Sequence, residues 1–380
     1  MGFELNETQA MIRETVRDFA RTEVAPLTSE LDKKGEFPWV NYRQAVDLGL
    51  LGMTMPEELG GIGADAVSFA LAIEEMAWAS ASLADTVMLV DSLCYLLYHY
   101  GSASIHEKYL KPIMKGKMLG SFGVTEPEAG TDVANIQTTA VKDGKHWVLN
   151  GTKAFINNAP LADMAIIFAV TDTEKRSHGG MTAFVVEKGM TGLSAGKQED
   201  LMGQRSLSVG QLFMENVKVP EENILGEVGQ GFRICMSVID SGRIEIGALA
   251  LGIAQAALDE SLKYSKERIQ FGQTLSQFQI TQWKLASMAT EIEASRLLVY
   301  NAACLKDQGK KYGKQAAMAK LFASDTAVRA VNEAVQIHGG YGYSKEYVVE
   351  RLYRDAKITQ IYEGTNEIQR LLISRYLLKE

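Results

Sequence analysis

The pattern of apolar residues and glycines changes twice along the chain, and no other feature of the sequence constrains the fold as much. Up to about residue 120, apolar residues such as Ile12 and Val16 recur at helical spacing. Between about 121 and 230, short apolar runs alternate with glycines, which is typical of strands and turns. Long alanine-rich stretches then return. We therefore predict a helical domain over 1–120, a β-barrel or sandwich over 121–230, and a helical bundle over 231–380.

Local signals place several elements within these units. Asn6 is the expected cap of the first helix, and residues 66–79 and 82–100 are predicted to be further helices. In the middle unit, the dipeptide Asn150-Gly151 predicts a turn after a short strand. In the last unit, we expect the run Asp240-Ser241-Gly242-Arg243 to open a long helix.

Composition narrows the functional classes. The chain has 380 residues, 46% of them hydrophobic, but no run of 18 apolar residues, so we expect no membrane insertion. The formal net charge of −8 argues against nucleic-acid binding. The three cysteines are scattered and the five histidines lack ligand spacing, so we expect reduced thiols and no metal site. Because the start shows no secretory signal pattern, we predict a cytoplasmic protein.

Three segments carry residues suited to chemistry. Segment 361–367 places the carboxylate of Glu363 beside a glycine and a threonine, just before a predicted final helix. A partly dry pocket at such a junction raises the pKa of a carboxyl group toward neutrality and makes it a competent base. The other two segments are 123–132, with its Thr-Glu-Pro run, and 336–355, with its His-Gly-Gly run.

In this order, the three segments resemble the acyl-CoA dehydrogenase family, and the resemblance covers essentially the whole chain. One departure is Asn135, where the family usually has a small residue. The resemblance implies an α+β multidomain fold: an N-terminal all-α domain, a middle β-domain and a C-terminal four-helix bundle. It also implies FAD-dependent oxidation of an acyl-CoA thioester to an enoyl-CoA, transfer of the electrons to an electron-transfer flavoprotein, and a homotetramer.

The resemblance assigns the central catalytic role to Glu363. Its side chain would remove the proton next to the thioester carbonyl while the flavin accepts hydride from the neighbouring carbon. A flavin hydroxyl and the Glu363 main-chain N–H would stabilise the carbonyl oxygen. Some relatives carry their base at the position of Gly242, which cannot serve here. The alternative interpretation of Glu363 is a helix-start glutamate that the helix dipole favours.

The resemblance also implies a set of cofactor-binding residues. Among them, Arg268, Gly339 and Gly340 would reach the FAD of a neighbouring subunit. A guanidinium pairs with phosphate, and glycine permits close approach of the backbone to a phosphate group. Asn157 stands where the family has a hydroxyl, and a turn asparagine is the alternative interpretation. The predicted set is Val124, Thr125, Phe155, Asn157, Arg268, Gln270, Phe271, Gln336, Gly339, Gly340, Thr365 and Glu367.

Four residues are implied to bind the substrate: Thr131, Asp240, Arg243 and Gly364. Glu245 departs from the pattern, because a small residue is expected there. We predict that it pairs with Arg243 or another neighbour, and no catalytic role is assigned to it.

Asp91 interrupts an apolar helical stripe that includes Val87, Cys94 and Tyr95. A carboxylate on an apolar face is costly unless it is paired or protonated. One interpretation is a structural bond to a hydroxyl or to water. The other is a second catalytic acid/base group, aimed at a carbon away from the α-position, as a conjugated or ring substrate requires. The predicted substrate is then a short or alicyclic acyl-CoA, of the cyclohexane- or cyclohexene-carboxyl type.

Two further functional classes stay open at the level of sequence. An acyl-CoA oxidase shares the chemistry of the flavin but is generally longer. A redox-inactive relative that binds acyl-CoA or a protein partner would keep the fold without the reaction. The retained Glu363, Arg268 and Gln336 count against this second class.

Overall fold

Short helices build the N-terminal unit of the computed structural model, which describes residues 4–379. Asn6 caps the first helix as predicted: its side chain accepts a hydrogen bond from the Gln9 N–H, and the Gln9 side chain accepts one from the Asn6 N–H. A π-helical turn, Ala20–Val24, joins the first helix to the second. The helices are α1 (Glu7–Phe19), α2 (Ala25–Lys34), α3 (Trp39–Asp47), α4 (Ala66–Ala79), α5 (Ala81–Tyr100), α6 (Ala103–Ile105) and α7 (Lys111–Met114).

Helices α4 and α5 form the centre of this unit and confirm the two predicted helical segments. Asp65 caps α4 by accepting from the Ser68 N–H, and Ser80 caps α5 by accepting from the Leu83 N–H. By length and composition α5 could cross a membrane, but 78% of its apolar window is buried inside the protein. That burial is typical of a core helix.

The middle unit is one connected sheet of eight strands, in the order β6-β7-β3-β2-β4-β5-β8, with β1 pairing with β4. Every residue of β4 is buried, because its two faces pack against different cores. Ile166 and Phe168 face the large helical core, whereas Ile167 faces a smaller core inside the sheet. The strands are β1 (Gly120–Gly123), β2 (Thr139–Asp143), β3 (His146–Asn157), β4 (Met164–Val170), β5 (Met181–Glu187), β6 (Leu193–Ala195), β7 (Val209–Pro220) and β8 (Ile224–Leu225).

Long helices build the C-terminal unit. The longest, α8, packs against α10, α9 and α4 and so joins the bundle to the N-terminal unit. The elements are α8 (Gly231–Glu267), β9 (Ile269–Gln270), β10 (Gln273–Thr274), α9 (Gln279–Asp307), α10 (Gly313–His338), α11 (Val348–Lys357) and α12 (Asn366–Lys379). The order of helical, sheet and helical units confirms the predicted fold class.

Two local predictions are wrong. Asn150-Gly151 is not a turn, because β3 runs through it; the pairing of β3 with β7 shifts register there, which marks a β-bulge. Asp240 and Arg243 do not open a helix either. They lie well inside α8, which begins at Gly231 because its apolar residues already pack into the core from Ile234 onward.

Candidate active site

A left-handed turn between α11 and α12 carries Glu363. Glu363 has φ 52° and the following Gly364 has φ 87°. A positive φ is unfavourable for a residue with a side chain and persists only where surrounding contacts enforce it, most often at functional sites. Here the turn directs the Glu363 side chain toward α8.

Buried hydrogen bonds from α10 hold this turn in place. The ammonium group of Lys320, which is fully buried, donates to the Gly364 carbonyl and to Oδ1 of Asn366, both at 2.9 Å. The Asn366 side chain donates to Ser324 Oγ at 2.9 Å and to Asp325 Oδ1 at 2.7 Å. Because so many contacts converge, they can offset the cost of the left-handed backbone.

The Glu363 carboxyl group lies against the bare backbone of Gly242 on α8. A Cβ added to Gly242 would come within 3.0 Å of Glu363 Oε2 and 3.2 Å of its Cδ. Burial raises the pKa of the Glu363 carboxyl group, while the positive charges of Arg243 and Lys320 act in the opposite direction. The result is a shielded carboxylate between two cations, which is suited to accepting a proton.

A second buried carboxylate, Asp85 on α5, lies near Glu363. Its Oδ1 accepts a hydrogen bond of 2.9 Å from the side-chain amide of Asn157 at the end of β3. Burial, and then the charge of Glu363, raise the pKa of Asp85 to about 7. The hydroxyl of Tyr362 accepts from Gln204 at 3.2 Å beside this pair. The Asn157 amide is therefore held by a carboxylate in this chain.

Asp91 lies six residues, or about 1.7 turns, further along α5 and is also buried, with 5% of its surface exposed. Thr54 donates twice to it, from its hydroxyl to Oδ2 at 2.8 Å and from its N–H to Oδ1 at 3.3 Å. Burial raises the pKa of Asp91, and the Thr54 bonds and the charge of Lys306 oppose that shift. The hydroxyl partner matches the structural interpretation of Asp91 and leaves the catalytic one open.

Glu245 does not pair with Arg243, contrary to the first of its predicted partners. Its Oε1 accepts from Ser241 Oγ at 2.8 Å, and Ser241 Oγ accepts from the ammonium group of Lys306 at 2.5 Å. Burial is the main cause that raises the pKa of Glu245 to about 7; Lys306 opposes the shift, and Asp91 and Glu363 add to it. Arg243 forms its ion pair with Asp240 instead.

Of the four predicted substrate-binding residues, three lie near the Glu363 carboxyl group. Arg243 follows Gly242 on α8 and pairs with Asp240, and Gly364 follows Glu363 in the turn. Thr131 lies elsewhere, on the exposed loop between β1 and β2. The structure therefore brings three of the four predicted residues together and leaves Thr131 apart from them.

Several predicted cofactor residues cluster around the ends of β1 and β3. Buried Lys153 donates to the Val124 carbonyl at 3.2 Å and to Glu126 at 2.7 Å, and the Thr125 carbonyl accepts from the Ala154 N–H. Phe155 next to them has φ 55° and leaves 66% of its surface exposed. The loop at Val124 and Thr125, which these hydrogen bonds anchor, therefore lies beside the exposed ring of Phe155, a residue with a left-handed backbone.

Thr365 and Glu367 lie at the start of α12. The Thr365 hydroxyl accepts from the Ile368 N–H at 3.4 Å, and Glu367 is exposed in the first helical turn. A hydrogen bond from its own main-chain N–H is the main cause that lowers the pKa of the Glu367 carboxyl group, and the Thr365 hydroxyl contributes.

The remaining predicted cofactor residues form a separate group. Arg268 lies at the end of α8 with its guanidinium 5.5 Å from the Tyr341 ring centre, and Phe271 nearby is 95% exposed. Gln336 lies sixteen residues beyond Lys320 on α10, about 24 Å at 1.5 Å per residue. One chain thus holds this group far from Glu363. Its other members, Gln270, Gly339 and Gly340, are all exposed.

Family comparisons agree with this architecture along the chain. The model described as acyl-CoA dehydrogenase, N-terminal domain, matches residues 6–117. The middle-domain model matches residues 121–217, and the C-terminal-domain model matches residues 229–378. The chain belongs to the acyl-CoA dehydrogenase family. It is therefore an oxidoreductase.

Individual relatives are similar in sequence to this protein over its whole length. The probable acyl-CoA dehydrogenase YngJ of Bacillus subtilis (strain 168) is 48% identical over 380 residues, which cover 100% of both proteins. Butyryl-CoA dehydrogenase from Megasphaera elsdenii is 46% identical, with a TM-score of 0.96 and 100% coverage of both chains. A structure described as the electron transferring flavoprotein of Acidaminococcus fermentans contains a chain that is 47% identical, with a TM-score of 0.97 and 100% coverage of both.

The cofactor of this acyl-CoA dehydrogenase is FAD. The exposed ring of Phe155 beside the loop 124–125 offers a surface on which a flavin ring can stack. In the separate group around Arg268, nothing lies within 4 Å of a Cβ added to Gly339 or Gly340, so the backbone there is open to a phosphate group. The residues present therefore fit FAD.

Residues around Glu363 and Glu245 to which the sequence analysis assigned no role come from four helices. They are Asp85 on α5, Ser241 on α8, Lys306 at the end of α9, and Lys320 on α10. Two carried a sequence signal: Asp85 is a carboxylate in an apolar run, and Lys320 is a charged residue between the apolar residues Ala319 and Leu321 of α10.

Proposed function

We propose that this protein dehydrogenates a short or alicyclic acyl-CoA thioester to an enoyl-CoA, with Glu363 as the base. The observation that carries the proposal is the position of the Glu363 carboxyl group, shielded against Gly242 and flanked by the charges of Arg243 and Lys320. A base with a raised pKa removes a weakly acidic α-proton more effectively at neutral pH than an ordinary glutamate does.

The turn also offers a donor for the thioester carbonyl. No hydrogen bond within residues 4–379 uses the main-chain N–H of Glu363, so this group is free to stabilise the enolate-like oxygen. Bound FAD supplies the acceptor for the hydride that leaves the neighbouring carbon. The chain contributes the base, the donor and the dry surroundings in which both act.

Asp91 supports the alicyclic part of the proposal as a second acid/base group. It belongs to a set of three carboxylates, of which Asp91 and Glu245 are buried and Glu363 is partly buried, and Glu245 interacts electrostatically with the other two. In an α,β-unsaturated ring thioester, a γ-proton is acidified through the double bond, and a second base can remove it. A purely saturated chain needs Glu363 alone, so a second carboxylate favours the ring substrate.

The names of the relatives support the remaining elements. Butyryl-CoA dehydrogenase of Megasphaera elsdenii supports a short acyl group, and the structure described as an electron transferring flavoprotein supports that class of electron acceptor. The distant group around Arg268 has no counterpart near Glu363 in its own chain, which favours a homotetramer with FAD sites shared between subunits. The proposed location is the cytoplasm.

The test of the base is a screen of CoA thioesters with an artificial electron acceptor, scored by product mass. Linear, branched, aromatic-tailed and alicyclic thioesters are compared, with the visible spectrum of the pure protein recorded before and after addition. We expect flavin absorption that bleaches with at least one short or alicyclic thioester. Glu363→Gln should keep the flavin and lose about 100-fold or more of the bleaching rate. An unchanged rate in this variant would remove Glu363 from the reaction.

The role of Asp91 is tested separately with Asp91→Asn on linear and ring substrates. We expect the variant to retain the oxidation of butyryl-CoA and to lose the oxidation of cyclohex-1-ene-1-carboxyl-CoA. Activity equal to that of the unaltered protein on both substrates would leave Asp91 with the structural role that its Thr54 bonds describe.

A further inference from the structure

A buried ion pair joins β3 to the loop that follows β1. The Lys153 ammonium on β3 donates to Glu126 Oε1 at 2.7 Å, and neither side chain exposes more than 4% of its surface. Burial lowers the pKa of Lys153 to about 8 and the Glu126 charge opposes that shift, so the ammonium group keeps its proton at pH 7. A buried ammonium ion is stable only where acceptors surround it, so the groups that accept from Lys153 fix its position.

Lys153 also fixes the direction of one peptide group in this loop. Its ammonium group donates to the Val124 carbonyl at 3.2 Å. Every peptide bond in residues 4–379 is trans, so the Val124 C=O and the Thr125 N–H of the same planar unit point in opposite directions. Because the carbonyl points at buried Lys153, the Thr125 N–H points away from the ion pair.

The Thr125 N–H has no acceptor inside the described chain, although its neighbours are paired. The Thr125 carbonyl accepts from the Ala154 N–H at 2.9 Å, and the Glu126 N–H donates to the Ala129 carbonyl at 3.0 Å. No hydrogen bond within residues 4–379 uses the Thr125 N–H. This one donor is therefore available to a ligand, while the backbone groups next to it are satisfied by the protein.

Glu126 holds the loop in this arrangement from the other side. Besides Lys153, its carboxylate accepts from the N–H groups of Gln137 and Thr138 and from the Thr138 hydroxyl. These bonds tie the loop to the segment that leads into β2, while Lys153 ties it to β3. Lys153 lies two residues before Phe155, whose exposed ring is on the same strand. One ammonium group therefore fixes the free donor relative to the exposed ring.

We propose that Lys153 is a positioning residue for FAD, which turns the Thr125 N–H outward as a hydrogen-bond donor to the flavin ring. This inference rests on the predicted binding of the flavin beside Val124 and Phe155. The Lys153 side chain has no exposed surface, so it acts through the peptide group and not by touching the cofactor. Its removal should weaken FAD binding because the peptide group is then free to turn.

The experiment compares variants that differ in whether the Val124 carbonyl keeps its donor. Each purified protein is loaded with FAD and diluted in steps, bound FAD is measured after ultrafiltration, and thermal unfolding is recorded. Glu126→Gln breaks the ion pair but keeps Lys153, so we expect a lower Tm and an FAD dissociation constant within about threefold of the unaltered one. The double variant, Lys153→Met with Glu126→Gln, removes both charges, and its dissociation constant should rise about tenfold, the loss expected for one hydrogen bond.

Hydrogen–deuterium exchange at the Thr125 amide gives a readout that a purely structural ion pair would not move. Mass spectrometry with electron-transfer fragmentation resolves this amide in the FAD-loaded proteins. It should exchange slowly in the unaltered protein and in Glu126→Gln, and about tenfold faster in the double variant, because the amide then no longer donates to the flavin. Lys218→Met, at an exposed lysine on β7, is the matched control and should change neither FAD affinity nor exchange.

Phe155→Ala separates the site from the positioning role. If this variant binds FAD as tightly as the unaltered protein, the flavin does not lie beside this loop and the predicted site fails. If it binds FAD more weakly but the double variant matches Glu126→Gln in affinity and in Thr125 exchange, the site stands and the positioning role of Lys153 is overturned. Fast exchange of the Thr125 amide in the loaded, unaltered protein would also overturn it, because the donor would then be unused.

Discussion

The carboxyl group of Glu363 occupies the space that a side chain at Gly242 would need. The two residues are far apart in sequence, and the left-handed turn at Glu363 brings them into contact across α8. Glycine at position 242 therefore does two things: it leaves the space for the proposed base, and it presents bare helix backbone to one face of the carboxylate.

The first prediction concerns this contact. Gly242→Ala should displace the Glu363 carboxyl group, because the new Cβ would lie 3.0 Å from Oε2. We expect the rate of flavin bleaching to fall about tenfold, since small misplacements of a reacting group are costly, with little change in acyl-CoA affinity. Stopped-flow spectroscopy measures both. Gly247→Ala is the control, because its Cβ would come equally close, at 3.0 Å, to Val299 Cγ2 and would otherwise make only ordinary contacts with the Ala319 backbone. Equal losses in both variants would contradict the prediction.

The second prediction concerns Lys320. Lys320→Met removes one of the two donors to the Gly364 carbonyl and one of the two donors to Asn366 Oδ1. The loss of these two hydrogen bonds should cost about 1–3 kcal/mol in the free energy of unfolding. The positive charge of Lys320 lowers the pKa of Glu363, so its removal raises that pKa further. The acidic limb of the pH–rate profile should therefore move to higher pH.

Chemical denaturation and pH–rate profiles measure these two effects of Lys320→Met. Exposed Lys310→Met at the start of the loop before α10 is the matched control and should change neither. A stability loss without movement of the acidic limb would mean that Lys320 supports only the turn.

The fold was predictable where the signals are local. Helices α4 and α5 were predicted as residues 66–79 and 82–100, and the structure places their ends within one residue of these bounds, with Asp65 and Ser80 as their N-caps. The Asn150-Gly151 turn failed because the pairing of β3 with β7 carries the strand through a bulge that only the sheet reveals. Tertiary pairing overrode the local preference of the dipeptide.

The same distinction separates the predicted and missed parts of the site. Glu363 was identified because its segment carries a recognisable pattern. Lys320 was not, because its partner Gly364 lies 44 residues further along the chain, and nothing local predicts that contact. Asp85 and its partner Asn157 are 72 residues apart. Contacts of this kind depend on how α5, α10 and the sheet pack together.

The third prediction concerns stability and pH at Asp85. Its pKa is about 7 in the folded protein and 3.8 ordinarily, so the folded state holds a proton that the unfolded chain releases. The unfolded state binds fewer protons between about pH 4 and 7, and this group therefore makes the free energy of unfolding fall as pH rises through that window. Asp85→Asn should remove at most about 4 kcal/mol of that decline.

Denaturation of Asp85→Asn at a series of pH values from 5 to 8 measures this slope. Asp143→Asn is the control, because Asp143 is exposed and its partner Lys218 is exposed as well. If Asp85→Asn and the unaltered protein lose stability in parallel over the whole range, the carboxyl group is ionised throughout and the prediction fails.

The last prediction concerns the two separate groups of cofactor residues. If one FAD site takes Glu363 from one subunit and Arg268 from its neighbour, each group can be supplied by a different chain. Arg268→Ala should weaken FAD binding about 10- to 100-fold, the loss expected for a charge-assisted hydrogen bond. Glu363→Gln should bind FAD and lack the base.

When the two inactive variants are co-expressed with different tags and the mixed assemblies are purified, random pairing should rebuild intact sites in about one quarter of cases. Activity at limiting FAD then returns to roughly that fraction of the unaltered level, because the intact site combines Glu363 of one chain with Arg268 of the other.

The control is a mixture of Arg268→Ala with Gln336→Ala. Both changes fall in the same group of residues, and each site takes that whole group from a single chain, so no intact site forms. No recovery in the main experiment would mean that each FAD is bound by a single chain, and recovery in the control would mean that Arg268 and Gln336 reach one FAD from different chains.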